Sequence, residues 1–550
     1  MTFRLPVAAL AAAFSAATAS AQPAQSIQRA PPAADTLTLP LDDAVRRAVE
    51  HNPDLAIVRL GTEVEAANVG ESRTAYTPVF STTLGRSSNT TPPTNFLLGN
   101  AGVDARDWFS STGVRQRVPW GNGTWSVSWD ASRTTSNSPL NSFDPTVASG
   151  VQVAFSQPLL RDRKIDAARQ QFVIAKRNQE SSELRFREAA VQTVASVKQA
   201  YWTLKALRAN VGVQQRSLEL AQELAAQNKV RVQVGQAPPL DLVQVEAEVA
   251  ERRENLIRAA AAADDAEDRL RRLIIDPADA SFWRLRLDPV DEPGARPGLS
   301  DVDAIVANAL DRRYDIARAG IDVSNAATNV EYYTNQKLPD VRVETSYRGS
   351  GLGGSQLLRT GAFPGIVTGR VDTNGFGDVL GQVFGRDYPT WSFGVTVSYP
   401  VGRSFEEMNA VRAGVERRRA AERVASLKLD VAEAIRQAAR QVRSTAEREE
   451  AARAGATLAE QRYESERRRY EAGLSTSFLV TQAQRDLLQA QVNLLQATLD
   501  CQSSLVSFEA LQLAPAIGAG DTIAVSGSSV VLMPTRAPGG IFRPGSGTVF

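Results

Sequence analysis

One His and one Cys are all that this 550-residue chain holds of the two commonest soft metal ligands. A lone Cys cannot close an internal disulfide, and the pair cannot build a Cys/His metal cluster. No Ser-His-Asp or Cys-His constellation can be gathered either, so neither an enzyme nor a cofactor is expected; carboxylate chemistry alone stays open. Charge of one sign is also missing. The formal net charge is +1, which offers nucleic acid no electrostatic attraction. Past the N-terminal segment, no run of twenty consecutive apolar residues occurs, so a membrane-spanning helix is not expected. The two rare residues have plain readings. Cys501 sits on a helical seam as a small buried hydrophobe, and His51 is a solvated helix-end residue with no second His to share a metal.

The first 21 residues have the parts of a secretory signal. Arg4 supplies the positive start, Val7 to Ala17 the apolar stretch, and Ala19-Ser20-Ala21 a small-residue cleavage site before Gln22. A membrane anchor is the competing reading, but the apolar run is too short to span. No Cys follows the cleavage site, so no acyl chain is expected there. The chain is expected to be exported, with residues 22–40 as a flexible lead rich in Pro, Ala and Gln.

Helical pattern dominates what remains. From Leu474 to Leu513, Val480, Leu487, Leu494, Cys501 and Phe508 recur every seven residues, and Ala483, Ala490, Ala497, Ser504 and Leu511 follow three residues on. Large residues alternate with small ones, as on the a and d positions of closely packed helices. Val492, Leu499 and Val506 form a third row off that seam. A helix with two seams needs more than one neighbour, so it reads as a stave in a wall. Leu242, Val249, Leu256, Ala263 and Leu270 repeat the pattern after the break Gly235-Gln236-Ala237-Pro238-Pro239. Each break follows a long helical run, Asp162 to Val234 and Ser404 to Ala472. At 1.5 Å per residue such runs reach on the order of 100 Å, which predicts a long helical hairpin made twice.

Between helices the period changes to two. Pro78 to Gly85, Trp108 to Val118, Thr124 to Thr134 and Val147 to Pro158 read as strands, with Trp125, Val127 and Trp129 alternating with Ser126, Ser128 and Asp130. Each approaches the ten or so residues that a tilted strand needs to cross a bilayer. A soluble sandwich is the competing reading, and aromatics such as Trp108, Trp120 and Trp125 suit either. Leu41 to Ser72 is helical, with a break at Pro53.

The order then restarts. Asp303-Ala304-Ile305 echoes Asp43-Ala44-Val45, Pro339 echoes Pro78, Trp391 to Pro400 echoes Val151 to Pro158, and Gly473 echoes Gly235, at spacings near 261, 242 and 238 residues. Two copies of one unit are expected. The first covers 41–276, with strands in 76–158 and a hairpin over 160–275 whose tip lies near 235–239. Residues 277–300 form an irregular connector. The second copy covers 301–513, with strands in 339–400 and a hairpin over 404–513 whose tip lies near 473. Four strands are expected in the first half and two in the second. Arg348 to Asp387 is a Gly-rich insert read as a long outward loop with no helix, and so not a phosphate loop. Residues 514–550 form a low-complexity tail.

This order resembles the TolC family of outer-membrane efflux proteins. The resemblance spans nearly all of Leu41 to Leu513. It is carried by Ala48-Val49-Glu50-His51-Asn52-Pro53-Asp54-Leu55, by the strand exit Gln157-Pro158-Leu159-Leu160, and by the paired breaks Val234-Gly235 and Ala472-Gly473-Leu474. It implies a membrane β-barrel joined to a long α-helical barrel, built as a homotrimer of duplicated strand and helical-hairpin units. The barrel would sit in the outer membrane and the tunnel in the periplasm. The tips would meet a periplasmic adaptor, or membrane fusion protein, bound to an inner-membrane pump. The implied function is the passive exit duct of a tripartite efflux or type I secretion system. Physical reasoning points the same way, because one chain's strands are too few to close a pore and open edges cannot face lipid. A structural periplasmic coiled coil or adhesin is the alternative. The family has four barrel strands per chain, so the hairpin around Gly121-Asn122-Gly123, within 108–134, is extra; it is expected to join the barrel.

The family resemblance also places a gate near the tips. An acidic ring in the family matches Leu479 and Gln482 here, with Asp241 and Gln244 at the equivalent places in the first half. A closing tyrosine matches Tyr470, and its acidic partner region matches Asp241; the matching arginine position is Ser475. Val234, Gly235, Gly473 and Leu474 fall where the family's tips contact the adaptor. Turn need alone also accounts for both glycines, and dipole complementarity accounts for Asp241 at a helix start and for Arg467, Arg468 and Arg469 near a helix end.

Overall fold

The computed structural model describes residues 36–92, 102–138, 140–235, 238–276, 278–294, 301–362, 365–402 and 404–515. The expected signal, most of the lead, nearly all of the tail and Gln236-Ala237 at the first tip lie outside the described residues. The chain opens with strand β1 (Thr36–Leu39) and helices α1 (Leu41–His51) and α2 (Pro53–Thr74). Strands β2 (Val79–Thr91), β3 (Val103–Arg117), β4 (Thr124–Ser136) and β5 (Phe143–Pro158) follow, then helices α3 (Ala167–Gln233) and α4 (Pro239–Ile274). After β6 (Arg286–Pro289) come α5 (Val302–Arg312), α6 (Tyr314–Gln336), β7 (Asp340–Thr360), β8 (Ile366–Asn374), α7 (Phe376–Gly385), β9 (Tyr388–Ser398), α8 (Phe405–Glu471) and α9 (Ser477–Leu511).

The helices form four parallel staves. α3 and α8 each run 67 residues without a break, about 100 Å at the helical rise. The other two staves are composite, because Pro53 and its counterpart break interrupt the short helices. Asn52 caps α2 by accepting from Leu55 N at 3.0 Å, and its Nδ2 donates to Leu273 O at the end of α4. Arg313 plays the matching part between α5 and α6, donating to Leu511 O at the end of α9 at 2.6 Å. So α2 continues the line of α4, and α6 the line of α9. Near the tips α9 lies between α3 and α8, while α4 flanks α3 on the other side. The two seams of α9 separate accordingly. Val506 joins a core with Tyr201, Leu204 and Leu270, and Phe508 joins another with Ile435, Val442 and Val306.

The strands form one antiparallel sheet in the order β2-β3-β4-β5-β7. On the far edge of β7, β9 pairs with residues 340–350 and β8 with 354–360. The extra hairpin is therefore part of the sheet, which is six strands wide wherever β9 or β8 pairs with β7. Its two faces differ in kind. Phe80, Val114, Val127, Val153, Tyr347 and Trp391 lie in one row across the strands on one face. The opposite face alternates with them and carries Ser111, Ser128, Asp130, Gln152, Arg348 and Ser392. A wall with one apolar and one hydrogen-bonding face suits lipid outside and water inside.

Three expectations are corrected. Thr36–Leu39, expected to be flexible lead, is a strand paired in parallel with β6, which lies in the connector expected to be irregular. Four residues are too few to show a period; the pairing with β6 and the core around Tyr201, Leu39 and Leu287 stabilise them. The second half has three strands, not two. The Gly-rich insert contributes the upper part of β7, all of β8 and the helix α7, where no helix was expected. Three glycines in Phe376–Gly385 weaken intrinsic helicity; burial of Val379 and Val383 against β7 compensates.

Candidate functional site

Both hairpins reverse through a glycine in the left-handed region, Gly235 at φ +74° and Gly473 at φ +77°. At the second tip Gly473 N donates to Tyr470 O at 3.0 Å and Leu474 N to Arg469 O at 2.8 Å. These paired bonds satisfy the last helical carbonyls, and a side chain at the glycine position would strain them. The first tip repeats the inner bond, from Gly235 N to Val232 O at 3.1 Å. Val234 and Leu474, the residues beside the glycines, are both exposed. Each tip thus offers an exposed apolar side chain beside its glycine.

Just inside the tips lies a small core of Leu224, Val245, Tyr463, Tyr470, Val480 and Leu487, drawn from all four staves. Tyr470 is its polar member. Its Oη donates to Asn228 Oδ1 on α3 at 2.9 Å, and the Arg231 guanidinium stacks 4.1 Å from its ring centre while donating to Tyr470 O at 3.2 Å. Burial pushes the phenol pKa up; the Arg231 charge opposes this and the nearby Asp241 adds to it. The hydroxyl therefore stays protonated as a donor across neutral pH. Tyr470 does bind the first hairpin, but through Asn228 and Arg231. Asp241 is close enough to be felt, and the hydrogen bond goes elsewhere.

The other expected gate residues are spread along the same end. Gln244 is exposed on α4, and Leu479 is exposed in the first turn of α9. Gln482 donates to Asp486 Oδ1 at 3.0 Å, and Asp486 in turn pairs with Arg462 of α8 at 2.9 Å. The carboxylate next to Gln482 is thus matched by a cation. Ser475 donates to Glu466 Oε2 at 3.0 Å, and this bond, with Arg469, holds the Glu466 carboxyl below its ordinary pKa.

A second link between the hairpins has only a faint sequence signal. Glu248 on α4 is buried and accepts from Arg485 Nε of α9 at 3.1 Å and from Arg252 one turn along its own helix. Burial pushes its pKa up, but the hydrogen bond from Arg485 and the two arginine charges outweigh that and hold it below the ordinary carboxylate value. Glu248 and Arg252 stand four apart, an ordinary helix pair in sequence. Nothing local shows that Arg485, 237 residues on, completes it.

Among the described residues no cluster of His, Cys, Asp or Glu could hold a metal. The molecule is a wall of staves with hydrogen bonds and ion pairs between the hairpins at one end and a two-faced sheet at the other. The family model for outer membrane efflux proteins matches residues 44–274 and 305–512. The chain belongs to the outer membrane efflux protein family. The two matched segments hold nearly all of α1 to α4 and of α5 to α9, and leave out the connector that contains β6. This is a family of transport channels, not of enzymes. No curated protein matches the chain.

Solved structures with a similar fold include the CmeC outer membrane channel of Campylobacter jejuni, at TM-score 0.62 and 15% identity, covering 86% of this chain and 85% of that one. A membrane protein from Pseudomonas aeruginosa gives 0.61 and 17%, covering 88% and 92%. The outer membrane protein VceC of Vibrio cholerae gives 0.58 and 16%, covering 86% and 96%. At these identities the likeness is one of fold.

Proposed function

We propose that three copies of this chain form the passive exit duct of a tripartite efflux or type I secretion system. The sheet would close a barrel in the outer membrane, and the staves a tunnel in the periplasm. The carrying observation is that both layers are open on matching flanks. In the sheet, β2 and β9 are unpaired on their outer edges and are exposed almost throughout. Among the helices, the flanking staves expose Ile57, Leu60, Val243 and Ile257 on one side and Val411, Leu429 and Leu458 on the other. Backbone groups left open in lipid cost several kcal/mol each, so β2 of one copy meets β9 of the next.

Six strands per chain then give a barrel of eighteen, wider than four per chain would allow. No described helix is long and apolar enough to cross a membrane, which leaves the sheet as the spanning part. The exposed tips carrying Val234, Gly235, Gly473 and Leu474 are the contact for a periplasmic adaptor joined to an inner-membrane pump. Tyr470, with Asn228 and Arg231, acts as the latch that holds the hairpins together at the closed end. Asp241, Gln244, Leu479 and Gln482 line the constriction there.

The test is the protein in detergent and then in planar bilayers. Light scattering should give three times the chain mass, and single channels should conduct. A monomer that never conducts would sink the reading.

A further inference from the structure

The outer face of the sheet carries more than an apolar band. Counting rows toward the end far from the helices, the apolar row of Phe80, Val127 and Tyr347 is followed by Thr82, Thr112, Trp129 and Val151, then by Leu84, Ser110, Ala131 and Ser149. The next row reads Arg86, Trp108, Arg133, Val147 and Gly353. Arg106 stands in the row beyond. From Val341 to Gly351 is about the ten residues that a tilted strand uses to cross the hydrocarbon. The arginine row therefore falls at the outer boundary of the bilayer. Arg86 lies over the Trp108 ring at 5.2 Å. Among the described residues, neither Arg86 nor Arg133 has a carboxylate within ion-pair distance. Asp104, further out on this face, is bonded to Thr90.

Helix α7 lies on this same face. Gly349, Gly351 and Gly353 share the face of Tyr347, and a Cβ at Gly349 would stand 2.8 Å from Val383 O of the helix. Glycine at these three positions is what lets the helix backbone touch the strand. Val379 and Val383 are buried there, while Phe376 and Phe384 stay exposed. Between the start of α7 and the ridge of Trp108 the wall leaves a groove of about 940 Å³. Leu84, Trp108, Val147 and Phe376 give it apolar sides, and Arg86 and Arg133 line the same groove. Asp378, the acid closest to the helix start, is taken up by capping Gly375 N at 2.8 Å.

We propose that this groove binds the phosphorylated, multiply acylated glycolipid of the outer leaflet, with a phosphate on Arg86 and Arg133 and an acyl chain between Trp108 and Phe376. The inference rests on the sheet being the lipid-facing barrel of the proposed duct. Charge complementarity selects the occupant. Two guanidinium groups at the boundary with no carboxylate partner among the described residues call for an anion, and the apolar sides below them call for hydrocarbon. A phospholipid shares that chemistry with one phosphate; a glycolipid phosphorylated on a rigid sugar can reach both arginines, which stand in one row with one strand between them.

The assembled protein in detergent would be titrated with diphosphoryl lipid A, dephosphorylated lipid A and phosphatidylglycerol, with binding read by native mass spectrometry and thermal shift. Expected is tightest binding to diphosphoryl lipid A, weaker binding to phosphatidylglycerol with its single phosphate, and binding to dephosphorylated lipid A at least about tenfold weaker than to the diphosphoryl form. Arg86→Gln with Arg133→Gln should erase the difference, whereas Arg115→Gln, on the inner face, should keep it. Phe376→Ala should weaken all acylated ligands together. Equal binding of phosphatidylglycerol would overturn the assignment in favour of any anionic lipid. Loss of binding without loss of preference in the double variant would overturn the arginine site. No binding to the wild type would mean that the groove is filled by the neighbouring copy or left empty, and would overturn the proposal. Conductance in planar bilayers of lipid without lipid A separates the two readings: channels that conduct while binding no lipid A leave the duct standing and remove only this site.

Discussion

The inner seam of the helical wall and its outer flanks are built from the same residue types, yet they meet opposite environments. Val480 in α9 is 2% exposed between α3 and α8, while Val243, near the same end of α4, is 60% exposed. Both stand on helices whose apolar residues recur every seven. One has its neighbour within the chain and the other does not. Exposed helical hydrophobes at several levels of one flank, with open strand edges on the sheet, are the surface that the proposed duct would place against another copy. The closed seam stabilises the chain, and the open flank is the proposed contact between copies.

That contrast predicts that mutations on the two surfaces separate folding from assembly. Ile257→Glu with Leu429→Glu should abolish the three-copy species in light scattering, while the isolated chain keeps its stability to within about 0.5 kcal/mol. Leu270→Ala, fully buried in the seam core, should instead cost about 2–5 kcal/mol in urea unfolding whatever the oligomer. A double flank variant that still assembles would show that the flanks face water.

Within the seam the latches should differ in size. Glu248→Ala strands a buried Arg252 and should cost on the order of 3–5 kcal/mol. The pair also has a pH signature. Because the folded carboxyl pKa lies below its unfolded value, the stabilisation is fully present above the ordinary carboxylate range and is lost as pH falls through the depressed value. The melting difference between wild type and Glu248→Gln should therefore be constant near neutrality and vanish in acid; a difference that grows in acid would contradict the assignment.

Asn228→Ala leaves the buried Tyr470 hydroxyl without its acceptor and should cost about 1–3 kcal/mol. If Tyr470 is a latch, the same variant should also raise single-channel conductance. Unchanged conductance would reduce the pair to packing. The smallest effect on folding and the most specific on transport is expected at the constriction. Leu479 and Gln482 supply no carboxylate, so trivalent cations should block the wild-type current weakly. Leu479→Asp with Gln482→Asp should install tight block while leaving stability within about 0.5 kcal/mol. Tight block of the wild type would show that another acid lines the pore.

The pattern of the staves was open to reading in the sequence because helical and strand periods are local properties. The heptads of α9, the breaks at Gly235 and Gly473, the interruption at Pro53 and the alternation of Trp125, Val127 and Trp129 all appear where a single chain segment dictates them. The tip turns were legible for the same reason, since a left-handed turn favours glycine. Only the tertiary structure decided which segments meet. It moved the Tyr470 bond to Asn228, completed Glu248 with Arg485 and paired Thr36–Leu39 with a strand some 250 residues later. It also laid α7 on three glycines of β7. A local period fixes an element and its apolar face but not which distant segment packs on it, so nothing short of the packed molecule could bring these residues together.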